Sequence, residues 1–90
     1  ILMEGVPNHI SYSEVGYSMK AMENVASVHD LHIWTMSSND VALSAHVLIE
    51  DFDSWHDTLE KIQEMLVEKY NIVHITIQPE KELKYFYHHH

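Results

Sequence analysis

Histidine is the residue type most able to do chemistry in this chain, because imidazole binds transition metals and titrates near neutral pH. There are 9 histidines among 90 residues and no cysteine. The run at 88–90 ends the chain and is interpreted as the remnant of a purification tag. The other histidines are His9, His29, His32, His46, His56 and His74. Without thiolate ligands, a metal site here must use imidazole and carboxylate, which suit zinc, cobalt, nickel or a related divalent ion better than copper(I).

The overall charge favours a cation as the binding partner. The chain carries 14 acidic and 5 basic residues, which gives a formal charge of −9. Phosphate groups would repel such a surface, so the balance argues against nucleic acid or an anionic membrane surface as a partner. Apolar residues make up 46% and charged residues 21% of the chain, as in a globular protein. The length suffices for one domain, and no apolar run approaches the ~20 residues needed to span a bilayer.

The spacing of apolar residues predicts the element order α-β-β-α-β. Ser11 and Glu14 fit a capping box at the start of the first helix, and Asn71 fits the end of the second. Pro79 is expected to end the last strand. The predicted elements are a helix over 12–24, strands over 27–35 and 40–49, a helix over 55–69 and a strand over 72–78. They predict an α+β fold with two helices on one face of a three-stranded sheet.

Side chains alternate between the two faces of a strand, so each predicted strand has an apolar face and a more polar one. The residues predicted to face the helices are Val41, Leu43, Ala45, Val47 and Ile49 in the second strand and Val73, Ile75 and Ile77 in the third. The residues predicted on the opposite face are Ala42, Ser44, His46 and Leu48, then His74, Thr76 and Gln78, with Glu80 just beyond. The histidines of these two strands therefore share the face that the helices leave bare.

The first two strands are predicted to pair as an antiparallel hairpin around residues 36–39. Thr35 would then lie opposite Asp40, and a constant register would place His29 opposite His46. Directly opposed residues have Cβ atoms about 4.5–5.5 Å apart. Two imidazoles at that separation can share one cation, whereas a slip of one residue would put them on opposite faces.

The resulting hypothesis is a divalent transition-metal site formed by His29 and His46, with His74 or Glu80 from the third strand. The alternative is that each histidine is an ordinary strand residue with a satisfied hydrogen bond. His32, together with Asp30, is expected on the core face as a buried, hydrogen-bonded residue. His9 and His56 are expected to be solvated.

An enzyme is not expected. Ser44, His46 and Asp40 resemble a catalytic triad only as a set of residue types. Nothing in the sequence supplies an oxyanion hole, and a three-stranded domain of this size has little room for a deep pocket.

Four segments together resemble the cytoplasmic C-terminal domain of the cation diffusion facilitator family, whose members are zinc, cadmium and cobalt efflux transporters that confer metal resistance. The segments are VHDLHIW at 28–34, ILMEGVP at 1–7, LSAH at 43–46 and HITIQPE at 74–80. The resemblance covers about residues 1–80. It implies the metallochaperone-like, ferredoxin-like αββαβ fold and a homodimer that forms through the sheet side.

The resemblance also implies a setting and a set of site residues. The full protein would be a homodimeric proton/metal antiporter, with this domain continuous with a transmembrane transport domain on the cytoplasmic side of the inner membrane. His29, His46 and Glu80 match positions that supply ligands in relatives. Gln78 matches one where some relatives have histidine. Asn24 stands where relatives usually have glycine.

The sequence therefore predicts a cytosolic metal-sensing and dimerisation domain over 1–80, a tail over 81–87 and a tag remnant over 88–90. The expected metal site uses His29, His46, His74, Gln78 and Glu80, and the expected metal is zinc, with cadmium, cobalt and nickel as alternatives. Two other functions remain open, a structural dimerisation domain without a specific metal site and a free-standing soluble metallochaperone. Since imidazole must be neutral to bind metal, affinity is expected to fall as the pH falls towards ~6.

Overall fold

The structure, a computed structural model, describes residues 9–81. They form two helices and one three-stranded sheet. The elements are helix α1 (Tyr12–Lys20), strand β1 (Val25–Thr35), strand β2 (Val41–Ile49), helix α2 (Trp55–Tyr70) and strand β3 (Ile72–Lys81). One short 3₁₀ turn, Phe52–Ser54, leads into α2. The order confirms the predicted αββαβ arrangement.

Some sequence predictions fall outside the described residues. They concern the segment at 1–7 that contributes to the family resemblance, the part of the predicted tail beyond Lys81, and the histidine run at 88–90. Between residues 9 and 81, neither helix is both long enough and apolar enough to cross a membrane.

The sheet has the strand order β1-β2-β3, with β2 in the centre. The pair β1 and β2 is antiparallel, as expected for a hairpin, and β2 and β3 are parallel. A parallel neighbour requires a crossover connection, which α2 provides. The central strand therefore contributes to both halves of the sheet, and β1 and β3 form its edges.

The hydrophobic core lies between the two helices and one face of the sheet. Each helix contributes a pair of fully buried hydrophobic side chains four positions apart, which is the spacing of one helix face. The largest fully buried side chains are Val15 and Met19 of α1, Ile62 and Leu66 of α2, Leu43, Val47 and Ile49 of β2, and Ile72 of β3. The predicted apolar face of β2 is confirmed as buried along its whole length.

The start of β3 differs from the prediction. Ile72 pairs with Val41 but His74 pairs with Ala42, so Val73 is an extra residue in the ladder. Ile72 is buried, whereas Val73 is 44% exposed. The prediction that Val73 shares the core face with Ile75 and Ile77 was therefore wrong, because a bulge shifts the alternation at that point.

Local signals in the sequence mark the start of α1 and the end of α2. The Ser11 side chain accepts a hydrogen bond of 3.2 Å from the Glu14 N–H, as the capping box predicts. Asn71 has a φ of 56° and ends α2, also as predicted. Helix α1 is shorter than predicted and stops at Lys20, and Asn24 turns the chain into β1 with a φ of 76°. Glycine and asparagine both tolerate that left-handed backbone.

The prediction that Pro79 ends the last strand was also wrong. β3 continues through Pro79, which pairs with Val47, and reaches Lys81. An edge strand has only one neighbour, so it can accommodate a residue without an N–H where that position faces away from the ladder. The extension matters because it carries Glu80 into the sheet beside Leu48.

Candidate metal centre

His29 lies directly opposite His46, as the sequence predicts, but the strands reach that pairing by a different path. Thr35 pairs with Val41 and not with Asp40, so the register near the hairpin loop is one residue off the prediction. A bulge between His29 and His32 restores it, since Asp30 and Leu31 together oppose Ala45. The one-residue shift at the loop and the one extra residue in the bulge offset each other, so His29 still pairs with His46.

Because of this bulge, the prediction for His32 was wrong. Leu31 and Ile33 are buried in the core, so His32 points to the other side, where it is exposed and pairs with Ser44. The sequence prediction placed His32 on the core face because it assumed unbroken alternation from His29. Trp34, which pairs with Ala42, lies on the same side of the strand as His32.

Within residues 9–81, one face of the sheet thus carries four histidines and no helix; we call it the histidine face. Its members in β1 are Ser27, His29, His32 and Trp34; in β2, Ala42, Ser44, His46 and Leu48; and in β3, His74, Thr76, Gln78 and Glu80. The buried side chains of both helices belong to the core on the other face. His9 and His56 lie elsewhere and are exposed, as predicted.

Glu80 joins the two opposed histidines. Nε2 of His29 lies 2.8 Å from Oε1 of Glu80, and Nδ1 of His46 lies 2.7 Å from Oε2. Each imidazole N–H therefore donates to a different oxygen of one carboxylate. The side chains of His29, His46 and Glu80 are 48%, 35% and 32% exposed, so a solute can reach the group from solvent.

This environment lowers the pKa of Glu80 below its ordinary value of 4.5. The largest cause is the hydrogen bond from His46, followed by partial burial, which acts in the opposite direction and raises the pKa. The hydrogen bond from His29 and the positive charges that both imidazoles can carry lower it further. Glu80 is therefore a carboxylate anion near neutral pH, and a carboxylate can only accept hydrogen bonds or bind cations.

Asp30 is a candidate ligand that the sequence analysis missed. Its Oδ2 lies 3.5 Å from Nδ1 of His29. One nitrogen or oxygen atom from each of His29, Asp30 and His46 can be chosen so that all three lie within 4.8 Å of one another. The prediction had placed Asp30 on the core face. The available signal was its residue type, since Asp is among the few residues that adopt a left-handed backbone, but type alone does not locate a bulge.

The structure does not bring His74 to this group. His74 pairs with Ala42 at the opposite end of β3, and its Nε2 lies 3.2 Å from Oδ2 of Asp40. Gln78 is closer, since it pairs with His46 and is exposed on the same face. Among the five predicted ligands, His29, His46 and Glu80 thus form one contact group, Gln78 flanks it and His74 stands apart.

The family that this chain matches is described as the cytoplasmic domain of cation efflux proteins, and the match covers residues 7–82. The chain belongs to that family. Relatives of this cation efflux domain include a probable zinc transporter of Dictyostelium discoideum, 43% identical over 92% of the chain. The metal cation efflux system protein CzcD of Cupriavidus metallidurans is 37% identical over 87% of the chain. A cadmium, cobalt and zinc/H⁺-K⁺ antiporter of Bacillus subtilis is 39% identical over 91%.

Solved structures agree with the family assignment. The metal-bound C-terminal domain of the CzcD transporter from C. metallidurans matches with a TM-score of 0.75 and 35% identity, over 79% of this chain and 99% of that one. The zinc transporter CzrB, described as putative, matches with a TM-score of 0.72 at 17% identity, over 87% of this chain and 99% of that one. The second likeness supports the fold alone. The cation efflux domain spans only 15%, 25% and 27% of the three relatives named above.

The donor groups on the histidine face suit a borderline divalent cation. Glu80 contacts both imidazoles, Asp30 also lies close to them, and the chain has no cysteine. Nitrogen and oxygen donors of this kind are those that zinc, cobalt and nickel accept, whereas copper(I) prefers sulfur. The sequence of the cation efflux domain therefore provides a donor set of the right chemistry in a solvent-accessible position.

Proposed function

We propose that this chain is the metal-sensing and dimerisation domain of a zinc-type divalent cation efflux antiporter, on the cytoplasmic side of the inner membrane and continuous with a transmembrane transport domain. The observation that carries the proposal is the placement of one anionic carboxylate, Glu80, between His29 and His46 on the histidine face, which no helix of residues 9–81 covers. A cation could bind all three donors if each imidazole carried its proton on the other ring nitrogen, which leaves the nitrogen that faces Glu80 with a free lone pair.

The relatives support this setting. The B. subtilis relative is a cadmium, cobalt and zinc antiporter, and the related CzcD domain has been solved with metal bound. In this proposal the present chain binds ions of the same class, zinc first, with cadmium, cobalt and nickel as further candidates. It carries out binding and assembly, and it catalyses no reaction.

Electrostatics gives the proposed mechanism. Each copy has a formal charge of −9, so two copies that meet through their histidine faces repel each other. A bound dication offsets part of that repulsion at the face itself. If the closer dimer binds metal more tightly, metal shifts the population towards it, by an amount set by the difference in affinity.

A purely structural dimerisation domain is the second candidate. The observation in its favour is that Glu80 already satisfies both imidazoles without a metal. A buried or half-buried histidine with such a partner needs no further ligand. In that case the histidine face would associate with a second copy and bind no ion stoichiometrically. A free-standing metallochaperone, the third possibility, would bind metal as a monomer.

One experiment separates the three. Zinc is titrated by calorimetry into protein that lacks residues 88–90, and light scattering gives the mass with and without zinc. The variants are His29→Ala and His46→Ala, and the matched control is His74→Ala, since His74 contacts Asp40 and not Glu80. Our proposal expects a dimer that loses zinc uptake in the first two variants and keeps it in the third. A dimer without stoichiometric uptake would support the structural role, and a monomer that binds zinc would support the chaperone.

A further inference from the structure

The bulge in β1 determines which residue of β2 lies opposite His29. Two residues of β1 oppose one of β2 at the bulge, and beyond it His29 pairs with His46. If the pairing of His32 with Ser44 continued without the bulge, His29 would lie opposite Val47. It would then point to the core, because a shift by one residue moves a side chain to the other face of the sheet. The histidine pair therefore depends on the bulge staying where it is.

Helix α1 contacts the second residue of this bulge, Leu31, through both its main chain and its side chain. The hydroxyl group of Tyr12 donates a hydrogen bond of 2.5 Å to the Leu31 carbonyl. A Cβ added to Gly16 would lie 3.6 Å from Cδ2 of Leu31, so the helix passes close to that side chain. Tyr12 and Gly16 are four residues apart and therefore lie on the same side of α1. Leu31 is only 7% exposed as a result of its packing in the core.

The bulge needs contacts of this kind because the strand pair alone does not favour it. β1 is an edge strand, so β2 is the only strand that sets its register. Asp30, the first residue of the bulge, has a φ of 53°, in the left-handed region that L-residues occupy at a steric cost. A straight ladder would avoid that cost. The hydrogen bond from Tyr12 stabilises the bulged form, since it joins the main chain of the bulge to a helix outside the sheet.

We propose that Tyr12 is a positioning residue for the histidine pair: through Leu31 it keeps the bulge in place, and the bulge keeps His29 opposite His46. Tyr12 is not a ligand. A helix that packs on the core face thereby influences the contacts on the opposite face of the sheet. The consequence for zinc rests on the proposed function, whereas the placement of His29 does not depend on metal and can be tested in its absence.

The test removes only the hydroxyl group of Tyr12. The variant is Tyr12→Phe, and the matched control is Tyr17→Phe, which makes the same change in the same helix at a side chain that is 74% exposed. The contact between the rings of His29 and His46, whose centroids lie 5.3 Å apart, is measured in the metal-free protein as the nuclear Overhauser effect between their ring protons. Zinc affinity is measured by competition with a chromophoric chelator. All proteins lack residues 88–90.

A second comparison distinguishes positioning from a general loss of stability. In a protein from which Asp30 is deleted, the register that starts at the hairpin brings His29 opposite His46 without any bulge. Tyr12→Phe then has no bulge to release, and it should leave the ring contact and the zinc affinity of the deletion protein unchanged. An effect through overall stability would be present with and without Asp30.

We expect Tyr12→Phe to reduce the ring-to-ring signal and to weaken zinc binding about 10-fold, at the low end of the effect of groups that orient metal ligands. Tyr17→Phe should change neither quantity. An unchanged ring contact in Tyr12→Phe, or an equal loss with and without Asp30, would overturn the positioning role and leave the proposed function intact. A wild-type protein that binds no zinc stoichiometrically, but whose ring contact is lost in Tyr12→Phe alone, would overturn the proposed function and support the positioning role.

Discussion

The rings of His29 and His46 face each other across β1 and β2, with centroids 5.3 Å apart and planes inclined by 42°. Each ring donates to one oxygen of Glu80. The geometry depends on three strands at once, because His29 lies in β1, His46 in β2 and Glu80 in β3. A mutation that displaces any of the three strands should therefore disrupt the contacts among His29, His46 and Glu80.

Zinc should stabilise the folded protein, because it binds the native arrangement and the unfolded chain lacks it. At a free zinc concentration of 100 times the dissociation constant, the free energy of unfolding should rise by about 2.7 kcal/mol. His46→Ala should abolish that increase, measured as the shift in thermal midpoint on protein without residues 88–90. The control is His56→Ala, an exposed histidine at the start of α2. A zinc-induced shift that survives in His46→Ala would contradict the prediction.

Glu80 should make the stability of the metal-free protein depend on pH in the acid range. Its pKa is lower in the fold than the ordinary 4.5, so the folded state favours the carboxylate form. The stabilisation is fully present above the unfolded pKa and is lost as the pH falls through the lowered folded value. Urea midpoints are measured from pH 7 down to pH 3. At pH 7 the midpoint of wild type should be higher than that of Glu80→Gln, and the difference between the two midpoints should disappear as the pH falls below about 4.5. A difference between the two midpoints that stays the same at every pH would contradict this prediction.

Asn71 should tolerate glycine better than alanine. Its φ of 56° lies in the left-handed region, where the alanine Cβ meets the following carbonyl oxygen. Asn71→Ala should lower the free energy of unfolding by about 1 kcal/mol, and Asn71→Gly should lower it by less, because glycine adopts this backbone conformation without a steric penalty. Chemical denaturation measures both, with Gln63→Ala on the exposed side of α2 as control. Equal values for the two Asn71 variants would show that the helix end is not strained.

The bulge at the start of β3 predicts opposite outcomes for two neighbouring residues. Ile72 is fully buried, so Ile72→Ala should destabilise the fold by about 2–5 kcal/mol. Val73 is 44% exposed, so Val73→Ala should change stability by less than about 0.5 kcal/mol. Urea denaturation of both variants provides the comparison. A larger loss at Val73 than at Ile72 would mean that β3 is shifted by one residue.

Much of the fold could be predicted from the sequence, because its signals are local. The apolar spacing of α2, the alternation in β2, the capping box at Ser11 and the stop at Asn71 each lie within a few residues of what they specify. The same is true of the family resemblance, which rests on short segments in a fixed order. These features led to the correct element order and to the correct face for His46.

The bulges could not be predicted in the same way. An extra residue in a ladder is defined by the partner strand, and neither Asp30 nor Val73 differs from its neighbours in any local pattern that marks the insertion. His32 was consequently assigned to the wrong face and Asp30 was overlooked as a candidate ligand. The prediction that Pro79 ends β3 failed for a related reason. Whether proline ends a strand depends on whether that strand lies at the edge of the sheet.

The parallel pairing of β2 and β3 has a consequence for how the protein is made. Glu80 lies 34 residues after His46 and 51 after His29, and the whole of α2 must be traversed before it can reach them. A growing polypeptide on the ribosome that stops short of β3 contains both imidazoles but not the carboxylate that joins them. The contact group of His29, His46 and Glu80 therefore forms only once the last strand has joined the sheet.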